Sequence, residues 1–151
     1  MGIPRSEPPV HRAARTVALA AALFCMLGVP AIAGAAPSTI GIWYGEGQPD
    51  DPKVLQLIEF RANGTFVAEF RKYDGCKVLY RQRESGTWTV DGTRKRMITQ
   101  RIDGQPADFD DSYTIDRLTQ TEQRVRHEPD GFAFDMKRVE KFEFPTCFYG
   151  V

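Results

Sequence analysis

Between Thr39 and Arg138 the chain alternates apolar and polar residues in short runs, each closed by Gly, Pro, Asn, Asp or a polar pair. A period of two with frequent breaks marks half-buried antiparallel strands. The first predicted strand, Thr39 to Glu46, has Ile40, Ile42 and Tyr44 on one face and Trp43 between Gly41 and Gly45 on the other, so its inward face stays open. The link Gln48-Pro49-Asp50-Asp51-Pro52 ends it, because proline cannot donate to a ladder and Asp favours turns. Val54 to Phe60 follows, with Gln56 among Val54, Ile58 and Phe60. Asn63-Gly64 then supplies a hairpin turn, which accounts for the Asn63-Gly64-Thr65 glycosylation pattern without a glycan. The third strand carries Phe66, Ala68 and Phe70 on one face.

The fourth run, Lys77 to Val90, aligns Val78, Tyr80, Gln82, Glu84, Gly86 and Trp88, with Gly86 predicting a bend or bulge. Asp91-Gly92 and Asp103-Gly104 bracket a fifth strand, Lys95 to Ile102, read with Ile98, Gln100 and Ile102 on its core face. Phe109 to Leu118 and Thr121 to Glu128 are the sixth and seventh, carrying Asp111, Tyr113 and Ile115, then Gln123, Val125 and His127. After Pro129-Asp130-Gly131 the eighth aligns Phe132, Phe134, Met136 and Arg138. The fold class is therefore all-β, an antiparallel up-and-down barrel of about eight strands, a number at which a closed barrel can hold one small ligand. A flattened barrel filled by its own side chains is the competing outcome. If the apolar faces point inward, Gln82, Glu84, Gln100, Asp111, Gln123 and His127 enter with them. Either a wet cavity receives these groups or bulges turn them out to solvent.

The amino terminus changes the picture. Arg5, Arg12 and Arg15 precede an apolar run from Val17 to Val29 and the small residues Ala31 to Ala36. This is the layout of a cleaved secretory signal over residues 1–36, with Ala33, Ala35 and Ala36 as compatible cleavage points. The run is short for a membrane span, which needs about 20 apolar residues. Residues 37–151 then form a single barrel domain with an aromatic carboxyl-terminal tail, Lys141 to Val151. The leader takes three Arg and one Glu from totals of 20 basic and 20 acidic residues, leaving 17 and 19. That balance gives no reason to expect nucleic acid as a partner, which would favour a basic face, and the chain is read as an exported monomer, periplasmic or secreted.

Cys76 and Cys147 lie beyond the leader, and an oxidising compartment favours their pairing; two free thiols are the alternative. Neither has a C-x-x-C partner, which leaves a thiol oxidoreductase without support. Ser38, Ser85 and Ser112 lack a Gly-x-Ser-x-Gly setting, and His127, alone beyond the leader, offers no triad, so no catalytic residue is named. Asp108, Asp110 and Asp111 lack the spacing of a calcium loop and read as a solvated turn. No metal or cofactor is assigned.

Gly41-x-Trp43 opening the first strand, the eight-strand meander and a disulfide from an early loop to the carboxyl end together resemble the lipocalin-like, or calycin, barrels. The phrases Phe60-Arg61-Ala62-Asn63-Gly64-Thr65-Phe66 and Ser85-Gly86-Thr87-Trp88 are similar to small exported bacterial domains of that kind. The resemblance implies that Trp43 seals the closed end and that Arg138 packs across it. It also implies a lumen that takes a small apolar or amphipathic molecule. Phe66, Phe70, Tyr80, Trp88, Tyr113, Phe132 and Phe134 would line it, with Gln82, Gln100 and His127 orienting a polar end. A second reading is a solid barrel that meets a protein or envelope component through its loops and tail. A third, from the similarity of Trp43-Tyr44-Gly45-Glu46-Gly47 to nitrobindin-type barrels, is haem bound through His127.

Overall fold

The computed structural model describes residues 36–149. The signal peptide assigned to residues 1–36 lies, apart from Ala36, outside the described residues. The barrel is built from β1 (Gly41–Gln48), β2 (Asp51–Phe60), β3 (Thr65–Asp74), β4 (Lys77–Asp91), β5 (Arg94–Ile102), β6 (Gln105–Leu118), β7 (Glu122–His127) and β8 (Ala133–Val139). Each strand pairs antiparallel with the next, and β8 returns to β1, so the sheet closes without a free edge. The architecture is consistent with a calycin-like fold. Turn chemistry sets the hairpins: between β5 and β6, Asp103 and Gly104 hold φ of 48° and 81°, the left-handed pair that a two-residue hairpin requires.

The closed end is made by β1 and its neighbours. Trp43 is fully buried, its Nε1–H donates to the Thr39 carbonyl at 2.7 Å, and the Arg138 guanidinium lies 4.3 Å above its ring. Arg138 also donates to the carbonyls of Ser38 at 2.5 Å, Ile40 at 2.6 Å and Gln120 at 2.7 Å, so one side chain ties the lead-in and the β6–β7 turn to the barrel floor. Gly41 makes room for it: a Cβ there would sit 2.1 Å from Arg138 Nη1. Phe60, Phe66 and Trp88 pack above, with Phe60 meeting Trp88 edge-on at 5.1 Å.

The face of β5 differs from the sequence expectation. Directly paired antiparallel residues share a side of the sheet, and Met97 pairs with Trp88 and Asp111 while Thr99 pairs with Gly86. Lys95, Met97 and Thr99 therefore point inward and are buried. Gln100 does not join the lumen: it is the extra residue of a bulge between Thr99 and Arg101, is exposed, and borders an outer depression with Arg61 and Asn63. One inserted residue flips every later side chain, so Ile102 returns to the face of Glu84 while Ile98 does not. Gly86 permits the kink, since a Cβ there would lie 1.8 Å from the Ile98 carbonyl oxygen.

A second buried layer covers part of the barrel's outside. Leu55 and Leu57 alternate with the inward Val54, Gln56 and Ile58, yet are wholly buried, and the outward Glu69 and Tyr73 are nearly so. The tail is held against this face. The Arg71 guanidinium lies 4.4 Å from the Phe144 ring, Phe148 N–H bonds to the Gly75 carbonyl at 2.8 Å, and Cys76 and Cys147 form a disulfide. Below it Glu69 accepts from Arg71 at 2.7 Å and from Arg81 at 3.0 and 3.1 Å. Burial works to raise the Glu69 carboxyl, but these two guanidiniums hold it below the usual range.

Candidate functional site

The barrel interior is packed at the closed end and opens upward in two steps. The inner step is a chamber of about 60 Å³ bordered by Gln48, Gln56, Phe70, Glu84, Lys95, Thr99, Asp111 and Tyr113, with Ile58, Ala68, Met97, Val125, Phe134 and Met136 completing the wall. That is space for about two waters at roughly 30 Å³ each, well short of the roughly 300 Å³ that a drug-sized ligand needs. The outer step is a partly open cleft of about 470 Å³ at the mouth, bordered by Gln48, Asp50, Asp51, Val54, Phe70, Lys72, Tyr80, Gln82 and Glu84. Gln48, Phe70 and Glu84 belong to both. The two spaces therefore meet among these three side chains.

The residues nominated from sequence divide between these places. Phe70 borders both spaces, Tyr113 and Phe134 the chamber, and Tyr80 and Gln82 the cleft. Phe66, Trp88 and Phe132 instead pack with the hydrophobic core, Phe132 against Phe134 at 4.8 Å and Trp88 with its Nε1–H on the Arg61 carbonyl at 3.2 Å. His127 stands beside the Tyr113 ring at 5.2 Å and contacts Asp111 through Nε2 at 3.3 Å and Asp130 through Nδ1 at 3.0 Å. Both ring nitrogens are thus engaged by carboxylates, and binding iron would have to break one of these contacts. Among the described residues no group of three or more His, Cys, Asp and Glu is placed to hold a metal ion.

One wall of the site is a polar ladder. Tyr80, Gln82 and Glu84 occupy successive inward positions of β4, opposite Lys72, Phe70 and Ala68 of β3. The Tyr80 hydroxyl donates to Gln82 Oε1, Gln82 Nε2–H donates to Glu84 Oε1 at 2.6 Å, and Thr99 Oγ1–H reaches Glu84 Oε2 at 3.4 Å. Burial raises the Glu84 carboxyl above the usual range, more than the bonds from Gln82 and Thr99 lower it, and the negative charges of Asp111 and Asp103 add to the rise.

Opposite stands a group that strand periodicity missed. Lys95 is 2 % exposed, and among the described residues it has no carboxylate partner. Its Nζ faces aromatic rings, Phe60 at 4.6 Å and Tyr113 at 5.7 Å. Burial brings its pKa down to about 7. Two side-chain amide nitrogens of the same chamber wall, Gln48 Nε2 and Gln56 Nε2, are buried and lack hydrogen-bond partners. Two donors without acceptors and the Lys95 side chain thus border one small chamber beneath an open cleft. Lys95 was hidden because Ile98 and Ile102 imposed a false phase on β5, although the alternation Lys95, Met97, Thr99 was readable with Met97 as its anchor.

No protein-family model matches the chain, and the search of curated proteins finds no match.

Proposed function

We propose that the protein is exported and binds one small amphipathic molecule, whose polar head enters the chamber and whose apolar body lies in the mouth cleft. The observation that carries this reading is the pair of unpartnered buried donors, Gln48 Nε2 and Gln56 Nε2, in the wall of a chamber that the buried Lys95 also borders, at the base of an accessible cleft. An unsatisfied buried donor costs about 1–3 kcal/mol, and a ligand oxygen placed among them removes that cost. Val54, Phe70 and the Tyr80 ring give the cleft an apolar wall for the body. Export is supported by the leader-like amino terminus and by the disulfide. The chamber volume turns the earlier picture of a ligand filling the lumen into one of a ligand capping it.

Native mass spectrometry of protein secreted into a bacterial periplasm, titrated with decan-1-ol, tests the reading. One bound molecule per chain is expected, with affinity lowered about tenfold, or 1.4 kcal/mol, by Gln56→Leu and unchanged by Gln100→Ala. Absence of a one-to-one complex overturns it. A second reading, contact with a protein partner, is favoured by Val78, Leu79 and Tyr80, exposed side by side at the mouth end of β4. It predicts that Leu79→Ser abolishes co-purification of that partner and leaves decan-1-ol binding intact.

A further inference from the structure

We propose that Lys95 is a nucleophile that captures an aldehyde head group as an imine, so that the molecule held in the mouth is an amphipathic aldehyde bound covalently and reversibly. This rests on the binding mode argued above and names its chemistry.

A lysine inside a barrel needs an explanation. A buried ammonium is normally matched by a carboxylate, because desolvating an unpaired charge is expensive. Among the described residues Lys95 Nζ contacts ring faces, at 4.6 Å from Phe60 and 5.7 Å from Tyr113. The ionisable groups on the same chamber wall are Glu84 on β4, and Asp111 and Tyr113 on β6, with His127 on β7 behind Asp111 and Tyr113. None forms an ion pair with Lys95 among the described residues. This setting favours the free amine, which a desolvated lysine in an apolar pocket uses for Schiff-base chemistry. With a pKa of about 7 the amine is about half neutral at pH 7, whereas an exposed lysine is almost wholly protonated there.

The rest of the chamber fits the same reaction. The Nζ lone pair attacks the carbonyl carbon, the C–N bond forms as the C=O π pair moves to oxygen, and proton transfer from nitrogen to oxygen gives a neutral carbinolamine. Gln48 Nε2 and Gln56 Nε2, in the wall of the same chamber and otherwise without acceptors, are the donors available to that oxygen. Loss of hydroxide then needs a proton. Glu84 is a wall carboxyl whose hold on a proton burial strengthens, and the Gln82–Tyr80 ladder connects it to the mouth. Water leaves, the remaining nitrogen proton returns to the carboxylate, and the neutral imine remains. No oxidant or reductant is involved, and hydrolysis reverses the sequence. The chamber of about 60 Å³ admits the aldehyde group, and the chain beyond it passes Phe70 into the cleft.

The experiment uses the secreted protein with decanal and sodium cyanoborohydride, which reduces the imine to a stable secondary amine, followed by intact-mass analysis and peptide mapping. Decan-1-ol, which cannot form an imine, is titrated in parallel. The expected result is one decyl group per chain, on Lys95, with a rate that climbs through about pH 7 and exceeds that at the exposed Lys53, Lys77 and Lys137 by at least about tenfold at that pH. Lys95→Met and Lys95→Arg should both lose the label and keep a cooperative thermal melt, which separates lost chemistry from lost fold. Binding of decan-1-ol with labelling spread evenly over exposed lysines, or with an unchanged label in Lys95→Arg, overturns the inference and leaves the binding reading standing. If decan-1-ol does not bind either, both fall.

Discussion

At the scale of single residues, the molecule spends stability at one position and gains it at another. Lys95 is the liability. Its folded pKa of about 7 lies below the ordinary lysine value of 10.5, so the unfolded chain binds the extra proton between those values. Stability therefore rises with pH across that window, by about 1.4 kcal/mol per unit, and the penalty is full below about pH 7. Lys95→Met should raise the melting temperature at pH 6 and change it little near pH 10; equal shifts at both pH values would mean that the amine is not desolvated. Trp43 is the opposite case, an indole with no exposed surface, its N–H paired to Thr39 and its face covered by Arg138. Trp43→Ala should cost about 3–5 kcal/mol in urea unfolding, and a loss under about 0.5 kcal/mol would be that of a surface residue. Trp43 was legible because Gly-x-Trp is a local pattern. Lys95 was not, since its burial depends on the register of two neighbouring strands.

Among the elements, β4 and β5 decide what faces inward, and they do so at a bulge. Gly86 stands where a Cβ would overlap the Ile98 carbonyl, so the strands can cross at that distance only without a side chain. Gly86→Ala should cost more than the roughly 1–3 kcal/mol typical of overpacking, and a near-wild-type melt would show that β5 shifts at no cost. The glycine itself marked a bend in the sequence, but the partner insertion at Gln100 carried no such mark, which is why the face of β5 was misassigned. The tail is the other element with a decisive role. It packs Phe144 on Arg71 and is fastened by a disulfide spanning 71 residues. Cys147→Ser should lower the melting temperature under oxidising conditions, with about 4 kcal/mol available on the chain-entropy estimate. Glu69 lies beneath the tail with its carboxyl held low by two guanidiniums, so its contribution is present above its unfolded value and is lost as pH falls through the lowered one. The Cys147→Ser variant should therefore be the more acid-labile of the two proteins in the pH range where Glu69 protonates.

For the whole molecule, strand count, order and turns followed from alternation and from Asn-Gly and Asp-Gly pairs, because local chemistry specifies a meander in which each strand pairs with the next. Cavity volume did not follow. It is a small difference between the barrel's interior and the side chains that fill it, and Phe60, Phe66 and Trp88 together occupy the floor that the sequence left open. On the binding mode proposed above, this shape makes head-group size the selective property. Phe70 borders both cleft and chamber, so a hydroxymethyl head is expected to pass it and an aromatic head is not. Decan-1-ol should bind the wild-type protein, and 4-decylphenol, with the same chain on a ring, should bind at least about tenfold more weakly. Phe70→Ala joins the two spaces and should bring the phenol to within a few-fold of the alcohol, read by competition in native mass spectrometry. If the wild-type protein binds both alike, the head lies outside the chamber. The donors of Gln48, Gln56 and Lys95 would then have no part in choosing the ligand.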